Sequence, residues 1–302
     1  MTELKFRTEI EFDYDVPREV TKGVTRIVAN NPSVFTFKGT NTYILGEGDD
    51  LALIDPGPED DAHFEAIMQH VGPRRISHIL ITHTHIDHIE GLPRLAAATG
   101  ATVCGYGRVA RDSGTISTSP SGAESYDLAF TPDLQLSDGG EVAGSDWAIK
   151  ALFTPGHAPD HLSFELKDRK VLFSGDHVMG WNTSVVAPPE GNMSDYLASL
   201  EKLLDRSDDV YFPGHGGRIE QPQRFAKAYL VHRRWREQAI MSAIENGHTN
   251  ITKIVAVVYK TLDPRLVRAA SLSVQAHIEH LAEQSKVMVA EPLTFESTLT
   301  LA

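Results

Sequence analysis

Thr82-His83-Thr84-His85-Ile86-Asp87-His88 follows directly on Ile76-Ser77-His78-Ile79-Leu80-Ile81. The second stretch is a short apolar run rich in β-branched residues, the signature of a buried strand. The first stretch therefore hangs from the end of a sheet and carries four metal-capable side chains within six residues, His83, His85, Asp87 and His88. Alternate side chains of an extended backbone share a face, so His83 and His85 can grip one ion while Asp87 and His88, past a bend, reach a second. Imidazole and carboxylate donors suit borderline divalent cations, zinc first, with iron or manganese behind it.

Working outward, the same design recurs. Thr154-Pro155-Gly156-His157, Phe173-Ser174-Gly175-Asp176-His177 and Phe212-Pro213-Gly214-His215-Gly216 each run from apolar residues into glycine and a ligand-type side chain. Glycine lets backbone approach a metal closely, and a strand end holds the ligand rigidly. Upstream stand Gly39-Thr40-Asn41-Thr42-Tyr43-Ile44-Leu45 and Leu53-Ile54-Asp55-Pro56-Gly57.

In their order and spacing these motifs resemble the metallo-β-lactamase superfamily over about residues 24 to 222. The resemblance implies an α+β fold, the αββα metallo-β-lactamase sandwich. It also implies that one metal is held by His83, His85 and His157, a second by Asp87, His88 and His215, and that Asp176 bridges them. His85 stands where the diiron oxygen-reducing members carry Glu, which favours a zinc hydrolase with two Zn2+ per chain. Asp176 stands where true β-lactamases typically carry Cys, which argues against antibiotic hydrolysis.

The chemistry follows from the donors. Zinc lowers the pKa of bound water from near 16 to about 7, so a metal-bridging hydroxide is available without a dedicated base. Two divalent cations facing Asp87, Asp176 and one hydroxide keep surplus positive charge, which polarises a carbonyl or phosphoryl oxygen. Asp87 is the carboxylate expected to orient the attacking oxygen. Metal-bound imidazoles usually donate their second ring hydrogen, and Asp55 is the first candidate acceptor, with a simple Asp-Pro-Gly turn as its other reading. Asp160 and His161 resemble a pair the family carries after His157, or else open a strand. His177 points away from Asp176 if extended, and reads as packing or as lining the cleft edge. Thr40 and Asn41 either line the substrate mouth or form a polar turn.

Composition sets the limits. With 302 residues the chain exceeds one typical domain, so a catalytic domain over 1–222 and a helical domain over 223–302 are expected. The stretch Met1-Thr2-Glu3-Leu4-Lys5-Phe6-Arg7 lacks a secretory pattern, and no run approaches the roughly eighteen apolar residues of a membrane helix. The single cysteine, Cys104, can form no internal disulfide and reads as buried and inert, which fits a cytoplasmic protein. A net charge of −13 opposes non-specific phosphate binding, so DNA is not an expected partner.

Strand patterns fall at 25–28, 42–45, 51–54, 76–81, 101–104, 147–154, 162–166, 171–174 and 210–212, with helices at 61–71, 92–98 and 193–206. Residues 105–138, rich in Ser, Gly and Pro, read as a mobile surface loop. Beyond His215 the pattern turns helical at 222–245, 249–262 and 265–285, then gives a strand stub at Val287-Met288-Val289. Three helices and a strand resemble a winged helix, and with His232-Arg233 the tail is similar to the β-lactamase-like protein 2 group, which the resemblance associates with cutting single-stranded RNA. Arg218, Arg224, Lys227, Arg233, Arg234 and Arg236 form a basic run, which is either a solvated helix face or a patch guiding an anionic substrate through Arg233 and Arg236. Three functions follow: a dinuclear zinc hydrolase attacking a phosphodiester or acyl carbon, with single-stranded RNA as substrate; a glyoxalase II-like hydrolase of small thioesters or esters; and a non-catalytic metal-binding or assembly protein. The winged helix also suits homodimer packing.

Overall fold

The structure, a computed structural model, describes residues 6–107, 130–290 and 292–302. It forms two compact units, Met1–Thr154 with Asp160–Ser184 and Arg206–Phe225, and Pro155–Pro159 with Val185–Asp205 and Ala226–Ala302.

Among the described residues the first unit holds two sheets. The first runs in chain order through β1 (Arg18–Thr21), β2 (Val24–Val28), β3 (Asn41–Leu45), β4 (Asp50–Ile54), β5 (Arg75–Leu80), β6 (Thr102–Gly105) and β7 (Leu134–Gln135). The second contains β8 (Glu141–Ala143), β9 (Ala148–Phe153), β10 (Leu162–Leu166), β11 (Val171–Gly175), β12 (Val210–Pro213) and β13 (Ile219–Glu220), in the spatial order β13-β12-β11-β10-β9-β8. Pairing is antiparallel except from β4 through β7 and between β11 and β12, which run parallel. Helices α1 (Asp61–Val71), α2 (Ile86–Ile89) and α3 (Leu92–Thr99) complete this unit.

The central strands are apolar on both faces because both faces are covered. On β4, Ala52 and Ile54 enter a core shared with Phe164, Phe173 and Phe212 of the second sheet. Leu51 and Leu53, with side chains on the opposite face, pack instead with Ile67 and Val71 of α1 and Leu95 of α3. Tyr43 and Leu45 divide from Ile44 in the same way on β3. Helix α1 starts where the Asp60 carboxylate accepts the His63 backbone N–H at 2.8 Å and stops at Gly72, whose φ of +57° ends the helical path. Its limits are those that the spacing of Phe64, Ile67, Met68 and Val71 predicts.

The second unit contains α4 (Met193–Leu204), most of α5 (Pro222–Glu245), α6 (Ile251–Val258), a 3-10 turn at Pro264–Leu266, α7 (Val267–Glu283) and the antiparallel pair β14 (Val287–Val289) and β15 (Leu299–Leu301). Ile240, Ile244, Ile254, Val274, Ile278, Leu281, Val287 and Leu299 make its core. The helix expected at 249–262 is shorter at both ends, because the Asn250 side chain caps it by accepting the Lys253 N–H and Tyr259 leaves helical geometry. The loop expected across 105–138 falls largely on 108–129, outside the described residues; within its described part Leu134–Gln135 is an edge strand too short to leave a pattern. Cys104 is buried, and burial pushes its thiol up to about 12. No helix among the described residues is long and apolar enough to cross a membrane.

Candidate metal centre

The ligand-type residues sit where strands end. Asp55 follows β4, the stretch His83 to His88 follows β5, Asp176 follows β11, and His215 stands two residues past β12. These are the carboxyl ends of the parallel strand pairs, where side chains from several strands converge. The two sheets meet there: Thr40 pairs with His215 as an isolated bridge, and the Asn41 N–H donates to the Gly214 carbonyl at 2.8 Å. The chain then bends into α2 immediately after His85, turning Asp87 and His88 off the extended path.

Hydrogen bonds set which nitrogen each histidine offers. Asp55 accepts the Thr82 N–H at 2.8 Å, the Thr82 hydroxyl at 2.7 Å and His88 Nδ1–H at 2.9 Å. Since the Thr82 hydroxyl hydrogen goes to Asp55, its oxygen is the acceptor toward His83 Nδ1, 2.9 Å away. His215 Nδ1–H donates to the Gly39 carbonyl at 3.1 Å. His83, His88 and His215 therefore all present the Nε2 lone pair, and one carboxylate orients two of them. His85 turns Nδ1 to within 2.8 Å of His83 Nε2.

The bare donors match a divalent cation. His83, His88 and Asp176 offer ligand atoms within 4.8 Å of one another, as do Asp87, His88 and His215. His215 Nε2 lies 3.2 Å from both Asp87 Oδ2 and Asp176 Oδ2, and His88 Nε2 lies 3.3 Å from His215 Nε2 and 3.4 Å from Asp87 Oδ2. Tetrahedral zinc with ligands at about 2.0–2.1 Å puts its donors about 3.3 Å apart, so these side chains need little movement to close on an ion. Gly214 leaves room for them: a Cβ there would meet the Asp176 carboxylate and lie 2.6 Å from His88 Cε1.

Without a cation, protons carry the compensating charge. Burial alone would raise Asp87 and Asp176, yet His88 and His215 outweigh it and hold both carboxyls well below the usual range. Conversely burial would lower the imidazoles, but Asp87 and Asp176 raise His88 and push His215 up to about 10. A histidine raised on folding contributes stability that is complete below its unfolded value of about 6.5 and is lost as pH climbs through the folded value. Metal-free protein should therefore lose urea resistance between pH 6.5 and about 10, whereas metal-loaded protein, with a cation in place of those protons, should not. Loading at neutral pH should release about two protons, measurable by calorimetry in buffers of different ionisation enthalpy.

The other candidate residues divide. Asp55 is both a turn residue, with φ +51°, and the carboxylate behind His88, a conformation Asp tolerates because its short side chain hydrogen-bonds locally. Asp160 is buried and meets Thr84, between two of the histidines, rather than an imidazole; burial first, partly offset by that contact, raises its carboxyl to about 6. His161 bonds Thr154 Oγ1 at 2.9 Å through Nδ1 and takes the Asp176 N–H at Nε2. His177 is wholly buried, so it packs and does not line a cleft edge. Thr40 and Asn41 are 0 % and 1 % exposed, against a place at the substrate mouth. The Thr40 hydroxyl donates to Asp87 Oδ2 at 3.2 Å, and both Asn41 amide hydrogens go to the carbonyls of Pro213 and Gly216 at 2.9 Å.

His157 belongs to the second unit, where its Nδ1–H donates to the Val185 carbonyl at 2.6 Å, which fixes the ring's tautomer. Arg233 is buried against Tyr196, and Arg236 lies over the Tyr259 ring at 3.9 Å; the basic run is thus not one solvated face. Thr82 and Gly39 are the positioning residues that motif reading passes over, one working through a hydroxyl and the other through a carbonyl that any residue carries.

Comparison with known proteins agrees with this geometry. The metallo-β-lactamase superfamily model matches residues 35–215, and the β-lactamase-associated winged helix domain matches 251–291. The β-lactamase-like protein 2 homolog of Drosophila melanogaster is 33 % identical over 284 residues, covering 90 % of this chain and 92 % of its own. The atrochrysone carboxyl ACP thioesterase of Aspergillus fumigatus is 32 % identical over 228 residues, covering 74 % and 65 %. A crystal structure of a metallo-β-lactamase family protein from Thermus thermophilus superposes with a TM-score of 0.75 at 22 % identity, covering 94 % of this chain and all of that one. Histidine and aspartate donors gathered at the strand ends of a two-sheet fold, a winged helix following them in the chain, and relatives of this kind make the chain a metal-dependent hydrolase that belongs to the metallo-β-lactamase superfamily.

Proposed function

We propose that the chain is a dinuclear zinc hydrolase acting on phosphodiesters, with single-stranded RNA as substrate. The observation that carries the two-ion reading is the placement of Asp176, which offers a ligand atom within 4.8 Å of that of His83 while its Oδ2 lies 3.2 Å from His215 Nε2, so that it faces a donor proposed for each ion. His83, His85 and His157 would hold the first ion, and Asp87, His88 and His215 the second, with Asp176 shared. Bound there, the cations would supply an activated water and polarise the scissile group.

The protein's own part is positioning and proton transfer. Asp55 and Thr82 hold His83 and His88 in one tautomer, and Gly39 does the same for His215. Asp87, steadied by the Thr40 hydroxyl, would orient the attacking water and take its proton at Oδ2. The preference for phosphodiesters rests on the similarity to the β-lactamase-like protein 2 group across nearly the whole chain, winged helix included. A second reading, thioester hydrolysis, is supported by the thioesterase relative. We further propose a cytoplasmic protein with no DNA partner, able to form a homodimer, and a domain division at residues 222 and 223.

The test is metal-replete protein assayed side by side on single-stranded RNA, a phosphodiester, a thioester and a lactone. RNA cleavage that falls about 10²-fold or more in Asp87→Asn is the expected result. Thioester turnover without RNA cleavage would move the assignment to the second reading, and metal uptake without any turnover would overturn both.

A further inference from the structure

The second unit contains a cavity of about 830 Å³ that the metal centre does not use. One face of α5 lines it through His232, Trp235, Arg236, Ala239, Ser242 and Asn246, which recur every three or four residues apart from the adjacent pair Trp235 and Arg236. Val257, Val258, Lys260 and His248 close the other side. The volume lies within the range of small-molecule sites, which are usually apolar with a few convergent polar groups.

Its chemistry is one-sided. In a chain with 41 acidic and 28 basic residues, no Asp or Glu among the described residues lines the cavity, whereas Arg236 and Lys260 do. Arg236 is half-buried over the Tyr259 ring, burial lowers its pKa, and the charged groups acting on it are Tyr259 and Arg233, neither of them an anion at neutral pH. A guanidinium held in place by an aromatic face, with no carboxylate among the cavity's described lining, is compensated when a phosphate arrives. His232 Nδ1 is buried with no partner among the described residues, and burial, then Arg233 and Arg236, push the ring down to about 4, so it is a neutral imidazole at pH 7. The ring therefore adds no charge of its own to the cavity wall. Trp235, 46 % exposed, supplies a flat aromatic surface beside these groups.

We infer that this cavity binds a nucleoside monophosphate group, with the base stacked on Trp235 and the phosphate on Arg236 and Lys260. Stacking on an exposed Trp tolerates any base, and the guanidinium fork fits a phosphate, so the class is a nucleotide and not one sequence. The group can arrive as a free nucleotide or as one residue of a single-stranded oligonucleotide.

The experiment uses the full chain and AMP. Calorimetry measures affinity, and tryptophan emission locates the ligand, with Trp235→Phe removing the local reporter. Saturable AMP binding with quenching that disappears in Trp235→Phe is expected, along with a loss on the order of tenfold in Arg236→Gln and weaker binding of inorganic phosphate alone. Lys260→Gln, at an exposed position, gives the same loss in a variant whose folding is not in question. Asp176→Ala should bind AMP as the parent does, which separates this site from the metal centre. Tighter binding of a short oligoadenylate, equally sensitive to Arg236→Gln, would identify the strand as the source; AMP at least as tight would identify the free nucleotide. No saturable binding of either up to millimolar concentration, or binding unaffected by Trp235→Phe, Arg236→Gln and Lys260→Gln alike, would overturn the inference.

Discussion

Asp176→Ala is expected to strip the site of metal and reduce turnover by more than about 10³-fold on whatever substrate the parent cleaves. The side chain faces both His88 and His215 and is almost wholly buried. Its removal takes one negative charge from a proposed ligand set whose other members are five imidazoles and Asp87. Two cations held without a shared anion repel each other in a poorly solvated setting. Metal analysis after dialysis should find less than the parent's content, and added zinc should not restore the rate. A variant with normal turnover would refute the shared-ligand role. The fold should survive, since both the Asp176 backbone N–H to His161 and the Ser184 hydroxyl bond to the Asp176 carbonyl remain in the alanine variant.

Asp55→Ala should be the most damaging change outside the proposed ligands. Three buried donors, the Thr82 N–H, the Thr82 hydroxyl and His88 Nδ1–H, lose their acceptor together. Each orphaned donor costs about 1–3 kcal/mol, and Ala also tolerates φ +51° less well than Asp, so urea denaturation should register a loss of about 3–5 kcal/mol. Metal affinity should fall about 10- to 100-fold, because His83 and His88 lose the bonds that fix their tautomers. Asp55→Asn is the informative partner: it keeps the turn and one acceptor oxygen but places an amide against a donor, so stability should recover more than metal affinity does. Equal recovery of both would show that the ring orientation is set elsewhere.

Much of this protein was legible before any tertiary contact was known. The strands at 25–28, 42–45, 51–54 and 162–166 and helix 61–71 stand out because their apolar residues follow the period of the element and a turn or cap ends them. Missing from that reading were β1, β7, β8, β13 and β15, all of four residues or fewer. Such strands are edges or terminal pairs, held by backbone bonds to a neighbour, and leave too few alternations to be seen. Thr40 and Asn41 illustrate another limit. Polar residues before an apolar run suggest a solvated rim, yet here they lie at the meeting of two sheets, where the Thr40 hydroxyl finds a carboxylate and the Asn41 amide finds two carbonyls. Arg233 is similar: charge suggests exposure, while its ring contact with Tyr196 and its burial are facts of packing.

By itself the amino-acid order determined the fold class, the identity of the candidate donors and the likeness to a metal hydrolase, because ligand residues at strand ends are spaced by local geometry that short motifs record. Only the tertiary structure decided which ring nitrogen each histidine presents, that one carboxylate orients two of them, and that a cation-lined cavity opens along α5. Those features depend on side chains brought together from distant parts of the chain, and hydrogen-bond partners separated by tens or hundreds of residues leave no periodic trace in the order of amino acids.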